Sequence, residues 1–368
     1  MNQQHYRKLI SGQKHGPATV ILCLFLRSAA WLYSIVIGLR NFLYSKKWLK
    51  IHSADVPVIS VGNITVGGTG KTPLVIWLYN KITSNYKCAI LTRGYKTHTE
   101  KRASSIEHRV SRIDEPAILN ESCPDAKVIV NPNRVAGAIE AVNKFGAKAL
   151  IMDDGFQHRR LARDIDIVTI DATCPFGYGK MLPAGLLREP ISALKRADAV
   201  VITRCDQTGE AKLDRIKEEL QSNNPNMIIA RSVHKPICAK FIDGKEIGLK
   251  ELNNKKVFAF CGIGNPNAFF NTITKLGAKL AGSRIFDDHH HYTNSDIDNM
   301  YKQAEELKAD LILTTQKDFS KLKIQNSKFK IQLAYLAIEL KFVSGEDKIT
   351  RLIKNALAGK ITKVKSEK

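Results

Sequence analysis

The residues of this 368-residue chain most able to do chemistry concentrate between Val61 and Pro73, VGNITVGGTGKTP. An apolar run of strand type, Val56 to Val61, leads into a glycine-dense turn that closes on Gly70, Lys71 and Thr72. A run with helical spacing follows through Leu74, Trp77 and Leu78. That order is what a phosphate cradle requires. Around Gly67, Gly68, Thr69 and Gly70 the backbone N–H groups can converge on an anion, and the new helix directs its positive end at it. Lys71 then reaches the outer phosphates and the Thr72 hydroxyl holds a magnesium ion. Pro73 is tolerated because the first helical turn has no partner for its N–H. The pattern G-x-x-x-x-G-K-[ST] wants its first glycine at Thr65. The chain offers Gly62, Gly67 and Gly68 instead, so an altered entrance to the loop is expected. A ligand-free glycine turn would not need the strand before and the helix after; a nucleoside triphosphate site does.

Carboxylates lie where phosphoryl transfer would use them. Ala149 to Met152 reads as a buried strand ending in Asp153-Asp154. An acid at the carboxyl end of a strand beside such a loop is placed to hold magnesium. The plainer alternative is an Asp-Gly turn that caps a helix. Asp114-Glu115-Pro116 follows the second strand in a polar stretch and by itself is also a common helix start. Asp287-Asp288-His289-His290-His291 has the composition of a metal tract, but successive side chains diverge on a strand or helix. One imidazole paired with a carboxylate, as proton acceptor or relay, is the better functional reading, with a solvated loop as the alternative.

The elements that must position these groups alternate. Strand-like runs at Ala89 to Leu91, Ala149 to Met152, Ile165 to Ile170 and Ala199 to Thr203 are separated by helical patterns such as Val135 to Phe145. This predicts an α/β fold: a P-loop NTPase-like parallel sheet with helices on both faces. The pattern changes near 232. Ile237 to Asp243 enters a turn at Asp243-Gly244, and a second set of runs follows at Val257 to Cys261, Leu311 to Thr315 and Ile331 to Leu340. The expected organisation is therefore 1–45 as an apolar N-terminal element, 46–232 as the P-loop domain, and 233–368 as a smaller C-terminal α/β domain closing on the active site.

The net charge of +22 favours polyanionic partners, nucleic acid or an acidic membrane leaflet. The cations are dispersed, with modest concentrations at Lys46-Lys47, Arg159-Arg160 and the tail from Lys360. No arginine-rich block, zinc spacing or aromatic RNA-binding signature is present, so nucleic acid is not expected as a partner. Seven cysteines without a C-x-x-C pair argue for a reducing compartment. Ala18 to Leu39 is strongly apolar but interrupted by Arg27. Ser28-Ala29-Ala30 makes a poor signal-cleavage site, and a membrane-crossing helix would bury Arg27 at a cost. On a helix, Arg27, Ser34, Gly38, Asn41 and Ser45 fall on one stripe with an apolar remainder. That suits an in-plane membrane helix or an acyl-chain-binding element, the alternative being a buried helix packed on the core.

Together these segments resemble the tetraacyldisaccharide 4'-kinases, the lipid A 4'-kinases of Gram-negative bacteria. The likeness rests on Val61 to Pro73, Leu91 to Tyr95 (LTRGY), Asp114-Glu115-Pro116, Met152 to Arg159 (MDDGFQHR) and Arg163 to Ile167 (RDIDI). It extends to Leu182 to Pro190 (LPAGLLREP), Phe260 to Gly264 (FCGIG) and Phe286 to Tyr292 (FDDHHHY), in family order over roughly residues 20 to 320. The resemblance implies transfer of the γ-phosphate of ATP, with Mg2+, to the 4'-hydroxyl of a tetraacylated disaccharide 1-phosphate, the lipid A precursor. It implies that Lys71 contacts the phosphates, that Thr72, Asp154, Gln157 and Glu189 hold the metal, and that Asp153 and Arg188 serve the nucleotide site. It makes Asp114 the general base and His289 its partner from the second domain, with His290 the neighbouring candidate. It places the chain on the anionic cytoplasmic face of the inner membrane, peripheral or with one inserted N-terminal helix. Two positions depart from the family pattern: Ile113 and Lys96 stand where glycine is common. A membrane-cycling switch ATPase would want a lysine at Val66, and a GTPase a guanine reader of which Thr203 to Asp206 is only an echo.

Overall fold

The structure, a computed structural model, describes residues 3–13, 16–94, 114–288, 290–322 and 330–366. Among them, one compact unit comprises the chain up to Gly94, Leu119–Val233 and the stretch from Leu340 onward. The other comprises 114–118 and His234–Glu339.

The first unit opens with helices α1 (Gln3–Ile10) and α2 (Pro17–Ser45). Its strands are β1 (Val58–Gly62), β2 (Cys88–Thr92), β3 (Lys127–Val130), β4 (Ala149–Asp153), β5 (Ile165–Asp171), β6 (Ala199–Thr203) and the start of β7 (Ile228–Phe241). They are ordered β7-β6-β5-β1-β4-β2-β3, and every pair is parallel. Strands β1, β2, β4, β5 and β6 are buried at every position, which is why apolar residues dominate them, β5 being the exception with buried Asp166, Thr169 and Asp171. The register sets Val61 opposite both Asp153 and Ile167, so the acid ending β4 stands beside the strand that feeds the glycine turn.

Helices cover both faces. Helix α3 (Lys71–Thr83) buries Leu74, Val75, Leu78, Tyr79 and Ile82 at helical spacing against Ile59, Val61, Ile90 and Ile151. The alternate residue Val58 points into a second core with Leu91, Leu150 and Met152, closed by Ala138 and Ala141 of α5 (Arg134–Phe145). Asn133 caps that helix and Gly146 ends it in the left-handed region. Helix α4 (Asp114–Ser122) precedes β3, and Leu213, Ile216 and Leu220 of α6 (Glu210–Asn223) pack with Val200 and Ile202.

The second unit contains β9 (Lys256–Cys261), β10 (Lys279–Ile285), β11 (Leu311–Thr315) and the start of β12 (Leu333–Ser344), parallel in the order β10-β9-β11-β12. A short β8 (Glu246–Gly248) runs antiparallel to Cys238–Lys240. Helices α7 (Pro266–Lys275), α8 (Asn294–Glu306) and α9 (Gln316–Phe319) complete it, α7 packing with Val257 and Leu313 and α8 with Phe258 and Phe260.

The expected split at 232 into 46–232 and 233–368 differs in two places. Residues 114–118 group with the second unit. Helix α10 (Glu346–Ser366) belongs to the first unit, because Ile349, Ile353 and Leu357 are buried in the same core as α3. Helix α2 also departs from one alternative. Only Ala30 is buried, while Ile21, Phe25, Trp31 and Val36 are 69, 70, 66 and 63% exposed. It is therefore not a core helix, and it is long and apolar enough to cross a membrane by length and composition.

Candidate active site

The glycine turn is built by backbone demands. Gly67 and Gly70 hold φ of 117 and 86°, conformations that side chains resist. Gly70 caps α3, so Lys71 and Thr72 are its first two residues. At the entrance, the Val66 N–H donates to Leu186 O at 2.8 Å, the Arg188 N–H donates to Ile64 O at 2.7 Å, and Thr65 bridges antiparallel to Leu187. This is why no glycine is required at position 65: the residue is extended and strand-paired. The same bridge delivers Arg188 to the loop.

Beneath the loop lies a buried hydroxyl network that sequence reading missed. Thr69 Oγ1 is 2.7 Å from Thr169 Oγ1 and accepts from Asn63 Nδ2 at 3.1 Å. Thr203 Oγ1 donates to Thr69 O at 2.9 Å, and Arg204 Nη1 donates to Gly68 O at 2.9 Å. Thr69, expected among the nucleotide contacts, thus turns its side chain away from the cradle and sets the loop's shape. The signal was a Thr near the end of each of two apolar strands, β5 and β6. Thr169→Val should leave the buried Thr69 hydroxyl proton without its Thr169 acceptor while Asn63 still donates to the oxygen, at a cost on the order of 1–3 kcal/mol. Urea unfolding would show it as a lower midpoint at unchanged slope, with weaker nucleotide binding.

Three sequence-predicted residues meet above the loop. Lys71 Nζ lies 3.3 Å from Asp154 Oδ1, and Arg188 Nη1 donates to both Asp154 carboxylate oxygens at 3.0 Å. Gln157 joins them, with Oε1 3.5 Å from Arg188 Nη1, and its Nε2 donates to Asn63 O at 2.8 Å. Asp154 adopts φ of 50°, which turns its carboxylate off the strand direction of β4. Burial would raise the pKa of Asp154, but the Lys71 ammonium and the Arg188 guanidinium outweigh it and hold the carboxyl well below the usual range. Asp154 is thus a carboxylate at any working pH. Thr72 lies half-buried beside Lys71. Hard oxygens of this kind, with phosphate oxygens added, suit magnesium. Among the described residues no cluster of three His, Cys, Asp or Glu side chains could hold a metal by itself.

The other predicted residues are placed differently. Asp153 is buried at the end of β4, and its carbonyl accepts from Arg134 Nη2 at 3.1 Å. Glu189, expected among the metal ligands, is fully buried with other partners. Arg196 Nη2 donates to its two oxygens at 3.2 and 3.0 Å, and Asn41 Nδ2 donates at 2.8 Å. Tyr33 Oη donates to Arg188 O at 3.0 Å, and Arg159 Nη1 to Asn41 O at 2.9 Å. Asn41 of the polar stripe, together with Tyr33, therefore hydrogen-bonds α2 to the segment that carries Arg188 and Glu189. His158, from the same motif, is held neutral: burial, then the charges of Arg134, Arg163, Arg160 and Arg93, push its pKa down to about 4.

The Asp114 side chain and His289 lie outside the described residues. Nearby, His290 Nε2 is 3.1 Å from Asp296 Oδ2, within the capping box that Asp296 forms with Thr293, and its ring stacks on Phe286 at 4.6 Å.

A profile of the family described as Tetraacyldisaccharide-1-P 4'-kinase matches residues 22–358. A "Tetraacyldisaccharide 4'-kinase" from Halothermothrix orenii is 35% identical over 357 residues, covering 90% of this chain and 93% of the relative. One of the same name from Syntrophotalea carbinolica is 37% identical over 327 residues, covering 86 and 88%. Among solved structures, the "apo" form of LpxK from Aquifex aeolicus in complex with ATP superposes with a TM-score of 0.69 at 29% identity. It covers 91% of this chain and 99% of that one. With the glycine loop, Lys71, Asp154 and Arg188 assembled on a parallel sheet, these matches show that the chain belongs to the tetraacyldisaccharide-1-P 4'-kinase family.

Proposed function

We propose that this protein transfers the γ-phosphate of ATP to the 4'-hydroxyl of a tetraacyldisaccharide 1-phosphate at the cytoplasmic face of a bacterial inner membrane. The observation that carries this reading is how α2 is mounted. One side of it is hydrogen-bonded to the segment bearing Arg188 and Glu189, while the other is open and apolar. A soluble-substrate kinase has no use for an acyl-compatible surface attached to its catalytic loop.

Phosphoryl transfer depends on positioning and charge stabilisation. Lys71 is the cation for the outer phosphates, and Asp154 fixes it when the site is empty. Arg188 steadies phosphate charge, and Gln157 holds Arg188 and the loop in one frame. Magnesium, when bound by Thr72 and Asp154, would neutralise β- and γ-oxygens. Glu189 then acts through its hold on α2, unless Arg196 and Asn41 release it to the metal. We assign Asp114 as the group that orients the 4'-hydroxyl and accepts its proton late, since a carboxylate is too weak a base to ionise an alcohol early. We assign His289 as its partner; the use of His290 in the capping contact to Asp296 supports that register.

Deleting α2 would also remove Asn41 and Tyr33 from the site, so the apolar face should be altered alone. Replacing Phe25, Trp31 and Val36 together by serine should lower phosphorylation of the lipid in anionic vesicles more than about tenfold, because three large apolar side chains leave the bilayer. ATP affinity should stay unchanged. Undiminished lipid turnover would sink the role given to α2.

A further inference from the structure

Helix α1 precedes the family-matched span, which begins at residue 22. It is nevertheless docked. Leu9 and Ile10 are 4 and 5% exposed, and Tyr6 Oη donates to Pro183 O at 2.7 Å, with Gly185 O at 3.4 Å. Pro183 and Gly185 belong to the segment that bridges to the entrance of the glycine loop through Leu186 and Leu187. This docking sets the Arg7 Nη2 3.8 Å from where a Cβ on Gly67 would lie.

The charge around the loop makes that placement informative. Lys71 and Arg188 share Asp154, and Arg204 pairs with Asp171. Arg7 is half-buried at the same loop and forms no ion pair among the described residues. A guanidinium left without a carboxylate beside a phosphate cradle, on a helix anchored by two apolar residues and a tyrosine hydroxyl, is satisfied once an anion enters. We propose that Arg7, carried by α1, is a nucleotide-contacting residue that binds the β/γ end of ATP across the entrance limb of the loop, opposite Lys71. The inference rests on the kinase reading for its nucleotide. Arg suits the task because its planar fork gives charge-assisted hydrogen bonds to phosphate oxygens and its charge matches that which spreads over them during transfer.

The test uses the full chain with ATP and AMP as probes, binding measured by titration calorimetry without lipid and turnover with it. Arg7→Ala should raise the Kd for ATP about tenfold, the order expected of one charge-assisted hydrogen bond, and lower kcat. AMP, with no phosphate at that end, should bind as it does to the unaltered chain. Arg7→Lys should recover part of the loss, and Tyr6→Phe, which frees one anchor of α1, should reproduce it more weakly. ATP affinity and kcat within twofold of the unaltered chain would overturn the proposal. So would equal losses for ATP and AMP, which would make Arg7 a support of loop shape, or a loss confined to the KM of the lipid acceptor. Because the binding arm needs no lipid, absence of lipid phosphorylation would count against the kinase reading and leave this test standing.

Discussion

Lys71→Ala is expected to lower phosphoryl transfer on the order of 10^3-fold or more, the range seen when a preorganised cation or donor is removed from charge developing on phosphate. The two other arginines bonded around the loop and its carboxylates cannot substitute, and Arg7 reaches from the opposite limb. Arg188 is already committed to both oxygens of Asp154, and Arg204 is held on Asp171 and Gly68 O. Loss of the ammonium also leaves Asp154 with one cation where it had two, so the carboxyl pKa rises toward its ordinary value. The fold should survive, because Lys71 is in the first turn of α3 and the packing residues of that helix begin at Leu74. Turnover within tenfold of normal, in a variant that unfolds at its usual temperature, would contradict the role given to Lys71.

Asp154→Asn is the second large expected effect. The amide keeps the volume and can still accept one hydrogen bond from Arg188, but it removes the charge that pairs with Lys71 and would hold magnesium. Turnover should fall on the order of 10^2-fold or more, and the magnesium needed for half-maximal rate should rise, with excess magnesium restoring part of the loss. Unchanged magnesium dependence would make Asp154 only a brace for Lys71 and Arg188. The stability effect has a definite sign. Asp154 has a depressed folded-state pKa, so its ion pairs stabilise the fold above the ordinary carboxylate value near 4, and this contribution is lost as pH falls below that. The substituted chain should lose less stability than the unaltered one as it is acidified through that range.

What the sequence made readable was local or periodic. The strand-turn-helix order around Gly70 and Lys71 announces itself within a dozen residues, and the mostly apolar runs of β1, β4 and β6 imply a parallel sheet covered on both faces. Asp154 could be placed near Lys71 because an acid at the end of β4 falls beside β1 once the two strands are parallel neighbours. Contacts between distant segments carry no such signal. Nothing local in Asn41 indicates that it will reach Glu189, 148 positions on, or that Tyr6 will find Pro183, 177 positions on. The burial of the Thr69 side chain depends on Thr169 and Thr203 arriving from two other strands. The return of α10 to the first unit was hidden for the same reason, since its apolar stripe would serve equally well in either core.

The most direct test of the account is transfer of labelled γ-phosphate from ATP to tetraacyldisaccharide 1-phosphate in mixed detergent micelles, with the position of the new phosphate determined by NMR on the isolated product and Lys71→Ala as control. The account predicts label on the 4'-oxygen of the lipid with the unaltered chain and none with Lys71→Ala. Phosphate released to water, with the lipid unlabelled or labelled elsewhere, would contradict it.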